Sequence, residues 1–322
     1  MKKQKQSTDV ISPKRQLNLF GYSVYFDHFI KLYEKRVMPN SILVSGPKGL
    51  GKSTFVYHFV NYLLSKNEEK KYSIDDFTIN KDNISYKQLN SNTHPNFFLI
   101  ENNEDEKDIK IGQVRSLLQF LSKSTYVRDL KIVMINNAEN LNSNSSNALL
   151  KAIEEPSINT FFFIIHNNSF KILDTIKSRC IEFKFFFTLS EKKAILENIL
   201  KQYKNDLNVK NIDEFFYFDT PGNIIKYLLI LNKINIDPSK DKLSSILYLV
   251  DKYKQKNDPQ LLTFAYLLIE LFYNDLSKSN NKNLNLYSLN KFKLLKQIDD
   301  MKRFNLDRKN LSISIRDALE NA

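Results

Sequence analysis

The segment Ser41–Thr54, SILVSGPKGLGKST, joins an apolar run to a helical pattern through Gly46-Pro47-Lys48-Gly49-Leu50-Gly51-Lys52-Ser53, which matches G-x-x-x-x-G-K-[ST] in full. Glycines suit such a loop because backbone N–H groups must turn inward around phosphate oxygens, where the positive end of the following helix adds attraction. Lys52 is placed to reach the β- and γ-phosphates of a nucleotide and Ser53 to hold Mg²⁺, and Thr54 completes the candidate set. The bland alternative is a strand-to-helix turn that binds nothing. The Lys-Ser pair, in order between strand and helix, favours the nucleotide.

Working outward, residues 41–45, 96–101, 131–135 and 160–165 are short apolar runs that read as strands buried on both faces. Between them the apolar residues recur at helical spacing: Phe55, Phe59, Tyr62 and Leu63, then Val114, Leu117, Leu118 and Leu121. A further helix is predicted over 144–155, with Ala148, Leu149, Ala152 and Ile153 on one face and Pro156 at its end, and another over 169–178. Strands alternating with helices imply an α/β core with a mostly parallel sheet. From Leu189 onward helical spacing alone persists, interrupted by KINIDPSKD at 233–241 and SKSNNKNLN at 277–285.

Hydrolysis normally needs acidic residues at the end of a later strand, one to hold the metal and one to activate water. Here KIVMI at 131–135 runs into Asn136-Asn137. An amide cannot accept water's proton, and general-base help is worth about 10² to 10⁴-fold, so binding with feeble turnover is expected. Glu139 is the only acid nearby in sequence and is expected to start the next turn pointing elsewhere.

The chain's 322 residues suggest two or three domains at about 150 residues each. It carries 48 Lys+Arg against 36 Asp+Glu, a net charge of +12. Two readings of that charge stay open: a basic face for phosphate backbones or acidic partners, or the Lys/Asn/Ile drift of an AT-rich genome. Cys180 is the only cysteine, which excludes an intrachain disulfide or a four-cysteine zinc site; a small packed side chain is expected there rather than a reactive thiol. With no membrane-length apolar run and no apolar segment in the opening MKKQKQSTDVISPKRQ, a cytoplasmic protein is expected. His28 and His58 sit among aromatic neighbours, which predicts packing roles.

Five stretches in order resemble bacterial delta-prime subunits of the DNA polymerase III clamp loader, an AAA+ family related to gamma/tau. They are GPKGLGKST, HPNFFLIE at 94–101, IKIGQVRSLLQFLSKSTY at 109–126, KIVMINNAENLNSNSSNALLKAIEEPSINTFFFI at 131–164 and IKSRC at 176–180. The resemblance implies a five-subunit ring that loads the sliding clamp onto primer–template DNA, with motor (gamma/tau) and clamp-opening (delta) subunits as partners. It implies that Arg179, in Ser178-Arg179-Cys180, reaches a neighbour's ATP site in trans. Its alternative is a cation near a helix C-terminus, worth roughly 0.3 to 1 kcal/mol. Gly222, in Asp219-Thr220-Pro221-Gly222, stands where the motor has a second sensor arginine. His166 or Asn167 falls at the first sensor. The family's zinc module is absent, and residues 68–93 are expected to form a loop or small helices instead.

The organisation this implies is a P-loop core over 1–186, a helical lid over 187–236 and an all-α C-terminal collar over 237–322. ATP or ADP with Mg²⁺ is the expected cofactor. Two rival functions are a gamma/tau-like motor ATPase and a P-loop regulator outside replication that binds nucleic acid.

Overall fold

The computed structural model describes residues 10–102, 108–123, 130–203, 219–233, 241–256, 259–279, 283–304 and 308–320. Its first half alternates: α1 (Ser23–Glu34), β1 (Ser41–Gly46), α2 (Lys52–Ser65), α3 (Ile84–Asn90), β2 (Phe97–Ile100), α4 (Ile111–Ser122), β3 (Lys131–Ile135), α5 (Ser143–Glu154), β4 (Thr160–Asn167), α6 (Asp174–Lys177) and β5 (Ile181–Lys184). Helices alone follow: α7 (Leu189–Gln202), α8 (Pro221–Asn232), α9 (Lys242–Lys256), α10 (Pro259–Ser279), α11 (Leu284–Phe304) and α12 (Arg308–Glu320). The five strands form one parallel sheet in the order β2-β3-β4-β1-β5. This is the α/β core with a helical C-terminal part expected from the apolar pattern.

The chain divides into two compact units, one of Ile11–Ile199 with Thr220–Gly222, the other taking most of the remainder. In the first, the apolar strands feed two cores, one on each face of the sheet. Ile42, Val44, Met134, Phe163 and Ile165 point to one side, where Phe26, Phe29, Phe55 and Phe59 of α1 and α2 pack. Leu43, Val133, Ile135, Phe162 and Ile164 point to the other, onto Val114, Leu117, Leu149 and Ile153 of α4 and α5. Alternation within an all-apolar strand is what burial on both faces produces. Helix α2 is buried nearly all round, as its apolar sequence requires.

Residues 68–93, where the family resemblance predicts a loop or small helices, build α3 on polar contacts. Asn83 caps the helix by accepting from Tyr86 N at 2.7 Å, while the Glu68 carboxylate accepts from Ile84 N and Ser85 N at 2.7 and 2.9 Å. The helix predicted over 169–178 is a single turn, α6. The exit from β4 folds tightly instead: Phe170 N donates to Asn167 O at 3.0 Å, and His166 Nε2 donates to Phe170 O at 3.0 Å. Those bonds spend the backbone groups a longer helix would need.

His58 is fully buried, with Nε2 donating to Gln16 O and Nδ1 accepting from Tyr72 Oη, both at 3.0 Å. His28, by contrast, is exposed. Burial pushes the His58 pKa down to about 3, against the weaker opposing effect of the Gln16 carbonyl. The folded state therefore disfavours the proton that the unfolded chain accepts near pH 6.5, so stability present above pH 6.5 is lost as pH falls. The expected loss approaches about 1.4 kcal/mol per pH unit. His94, pushed down to about 4 mainly by burial, acts in the same sense. Urea unfolding at pH 7 and pH 5 checks this: the wild-type midpoint falls, and His58→Gln flattens the dependence.

In the second unit, α9 packs on α10 and α12, and α10 and α12 on α11. Tyr227 stacks on Phe264 with centroids 4.4 Å apart, and Tyr273 Oη donates to Ala318 O at 3.2 Å. Asp251 accepts from Ser312 Oγ and Arg316 Nη2 at 3.1 and 3.2 Å. The break predicted at 233–241 falls largely outside the described residues, whereas the loop predicted at 277–285 is shorter than expected: α10 runs through Ser279 and α11 begins at Leu284, with 280–282 outside the described residues. No helix among the described residues is long and apolar enough to cross a membrane.

Candidate functional site

Strand β1 delivers Gly46 to the C-terminal edge of the sheet, and α2 begins at Lys52. Between them the chain turns back sharply, with φ of 81° at Gly49 and 99° at Gly51, the left-handed region that side chains resist. A phosphate cradle needs its carbonyls turned out and its N–H groups turned in. Here each carbonyl from 46 to 51 has a donor. Lys52 Nζ serves Gly46 O and Pro47 O, both at 2.7 Å. Thr220 Oγ1 donates to Lys48 O at 2.7 Å, Gly222 N to Gly49 O at 2.9 Å, Tyr22 Oη to Leu50 O at 3.1 Å and Phe55 N to Gly51 O at 2.9 Å. None of these bonds uses the loop's own N–H groups, the arrangement an anion cradle needs.

Lys52 is buried, and desolvation pushes its pKa down to about 8, opposed by the Glu139 carboxylate and assisted by Lys48. It stays mostly protonated at neutral pH, as donation to two carbonyls requires. Ser53 Oγ donates to Asn136 Oδ1 at 2.9 Å. Asn136 Nδ2 in turn lies 3.4 Å from Glu101 Oε2 at the end of β2, and Asn137 Nδ2 donates to Asn102 Oδ1 at 3.1 Å. Asn137 has φ 55°, a left-handed value that Asn tolerates. The donor set fits nucleotide phosphates well. For Mg²⁺ it offers the Ser53 hydroxyl with an amide directly behind it and the Glu101 carboxylate only one step further back, so most of the metal's ligands would be phosphate and water oxygens.

Glu139 lies in the first turn after β3, as expected, but its carboxylate accepts from Asn167 N at 3.1 Å and acts on Lys52. It thus belongs to the site's surroundings rather than pointing elsewhere. Of the two first-sensor candidates, Asn167 pairs in register with Gly46, whereas His166 pairs with Ser45.

Arg179 sits at the opposite edge of the sheet. It precedes Ile181, which pairs with Ile42 at the start of β1, four residues before Gly46. At about 3.3 Å per residue that separates the two ends by about 13 Å. Its guanidinium is held by Glu154 Oε2, 3.0 Å from Nε, and by Thr175 O, 3.0 Å from Nη1, and remains partly exposed. Cys180 is half-buried against the α4/α5 core, its thiol pushed up to about 11 by burial. The motifs thus fall into two places: the loop, Asn136-Asn137 and Gly222 together, Arg179 apart. Sequence reading missed Tyr22, Thr220, Glu101 and Glu154 as contributors. Only Thr220 carried a signal, its place beside Pro221-Gly222.

Residues 23–187, spanning α1 through the loop, the amide pair, Arg179 and β5, match the family described as DNA polymerase III, delta subunit. The chain belongs to this family. Among its relatives is the DNA polymerase III subunit delta′ of Pseudomonas aeruginosa, 34% identical over 143 residues, or 44% of this chain and 42% of that one. The subunit delta′ of Buchnera aphidicola from Schizaphis graminum is 27% identical over 187 residues, 58% and 54% of the two chains. That of Escherichia coli K12 is 23% identical over 155 residues, 48% and 45%. The chain spans about half the length of the curated relatives it matches. The family match covers both the loop and the arginine corner.

Proposed function

We propose that this chain is a delta-prime-like subunit of a DNA polymerase III clamp loader, working in the cytoplasm. It supports ring assembly between motor (gamma/tau) and clamp-opening (delta) subunits and completes a neighbour's ATP site with Arg179. Through the complex it helps load the sliding clamp onto primer–template DNA. The observation that carries this reading is the split between its two motifs: a complete phosphate loop backed by two amides, and an arginine at the far edge of the sheet, beyond reach of that loop. A guanidinium so placed, partly exposed beside Glu154 and Thr175, is available to a site outside its own core. Gly46 to Thr54 bind ATP or ADP, Lys52 on the phosphates and Ser53 toward Mg²⁺, with little turnover. Bound Mg²⁺ would screen phosphate charge. Asn167, beside Gly46, is the better-placed first sensor. Residues 187–236 form the lid and 237–322 the collar.

Reconstitution tests this. Full-length chain mixed with motor and clamp-opening subunits is expected to co-elute with them in size-exclusion chromatography. A chain ending near residue 236 is expected to keep nucleotide binding yet drop out of the complex. Failure of the full-length chain to co-elute would remove the assembly role, and co-elution of the shortened chain would move that role to the core.

A further inference from the structure

We infer that Tyr22, Thr220 and Gly222 are positioning residues that hold the phosphate loop in its anion-binding shape and thereby set its affinity for a nucleoside diphosphate group. This rests on the reading of the loop as a nucleotide site. Peptide groups at 48–49, 49–50 and 50–51 can each flip. A flip would turn a carbonyl into the cradle, where its partial negative charge repels phosphate, and would bury or expose the wrong half of the peptide. Three donors remote in sequence prevent it: the Thr220 hydroxyl on Lys48 O, the Gly222 amide on Gly49 O and the Tyr22 hydroxyl on Leu50 O.

Each donor is built in. Thr220 is 3% exposed and Tyr22 2%. Tyr22 is wedged among Phe55, Phe185 and Phe187 at centroid distances of 5.2, 5.3 and 4.9 Å. Burial raises its phenol pKa well above the ordinary value, so it stays a donor. Gly222 approaches so closely that a Cβ would stand 2.6 Å from Gly49 O and 3.2 Å from Gly49 Cα. No larger residue fits without displacing the loop. The glycine is therefore a requirement of this brace, and a side chain at 222 reaching for the nucleotide is incompatible with it.

The test uses the full chain, a fluorescent N-methylanthraniloyl-ADP titration and amide hydrogen exchange of the peptide covering 46–54 in nucleotide-free protein. Thr220→Val keeps the shape and removes the donor; Tyr22→Phe does the same. Each is expected to weaken binding about tenfold, or about 1.4 kcal/mol, and to speed loop exchange by a similar factor. Thr220→Ser should stay within about twofold of wild type, since it keeps the hydroxyl. Gly222→Ala should also weaken binding, although Ala favours a helix over Gly by up to about 1 kcal/mol, so helix destabilisation cannot explain the loss. Variants with wild-type affinity and exchange overturn the inference. Lys52→Ala separates the two levels: it should abolish binding while loop exchange still responds to Thr220→Val. Wild-type protein that binds no analogue would sink the nucleotide reading, and exchange alone would then decide whether the brace holds the loop.

Discussion

Replacing Arg179 by Ala is expected to leave the chain folded and assembled while silencing one ATP site of the reconstituted loader. The fold should tolerate the change because the Arg179–Glu154 pair is solvent-exposed and such pairs contribute about 0 to 1 kcal/mol. The chemistry should not. An arginine supplied in trans to phosphoryl transfer is worth about 10³ to 10⁵ in rate, roughly 4 to 7 kcal/mol of transition-state stabilisation. In the proposed ring the other interfaces would keep their own arginines, so steady-state hydrolysis by the whole assembly is expected to fall only in part, whereas single-turnover analysis should find one site nearly inactive. Lys at 179 should rescue poorly, because an ammonium cannot present a planar fork to two phosphate oxygens. The measurement is clamp- and DNA-stimulated hydrolysis by loaders carrying wild-type, Ala or Lys protein, with assembly checked separately. Unchanged hydrolysis in a fully assembled Ala complex would reduce Arg179 to a cation at the end of α6.

The purified chain by itself is expected to bind Mg-nucleotide and hydrolyse almost none of it. Lys52 donates to Gly46 O and Pro47 O from a buried position, so its ammonium is already oriented at the cradle, and Lys52→Ala should abolish binding. Turnover is expected to fail for a different reason. Asn136 offers Ser53 an amide oxygen, and Asn137 is tied to Asn102, so no carboxylate at either position can charge the metal site or take water's proton. The absent base alone accounts for about 10² to 10⁴-fold. Glu139 accepts from Asn167 N through one carboxylate oxygen, and whether it takes over as base is read directly by the turnover assay. Calorimetric titration and a phosphate-release assay check both halves. Robust hydrolysis abolished by Lys52→Ala would reassign the chain as a motor, and absence of binding would leave the loop a structural remnant.

Much of this was legible in order along the chain. The apolar runs around Leu43, Val133 and Phe162 read as buried strands because a parallel sheet covered on both faces tolerates no polar alternation. The loop was legible because phosphate binding demands glycines and a Lys-Ser pair at fixed spacing. The short α6 was not, since three local bonds after β4 tie up the backbone where the helix predicted over 169–178 would start. Nor was the role of Glu139: sequence distance suggested a helix start, and only the neighbouring strand's end supplied its partner, Asn167 N.

Sequence by itself determined the α/β core, the phosphate loop and the two amides behind it, because each depends on residue identity at short, fixed spacing. Tertiary structure alone decided what surrounds them. Parallel pairing of β5 with β1 put Arg179 at the edge opposite Gly46, since register is fixed by which strands meet and where. The packing of Tyr22 and the return of Thr220–Gly222 brought donors to loop carbonyls 28 and more than 170 residues away. No local pattern encodes such contacts, because a hydrogen bond between remote segments depends on where the core places them and leaves no periodicity in the chain.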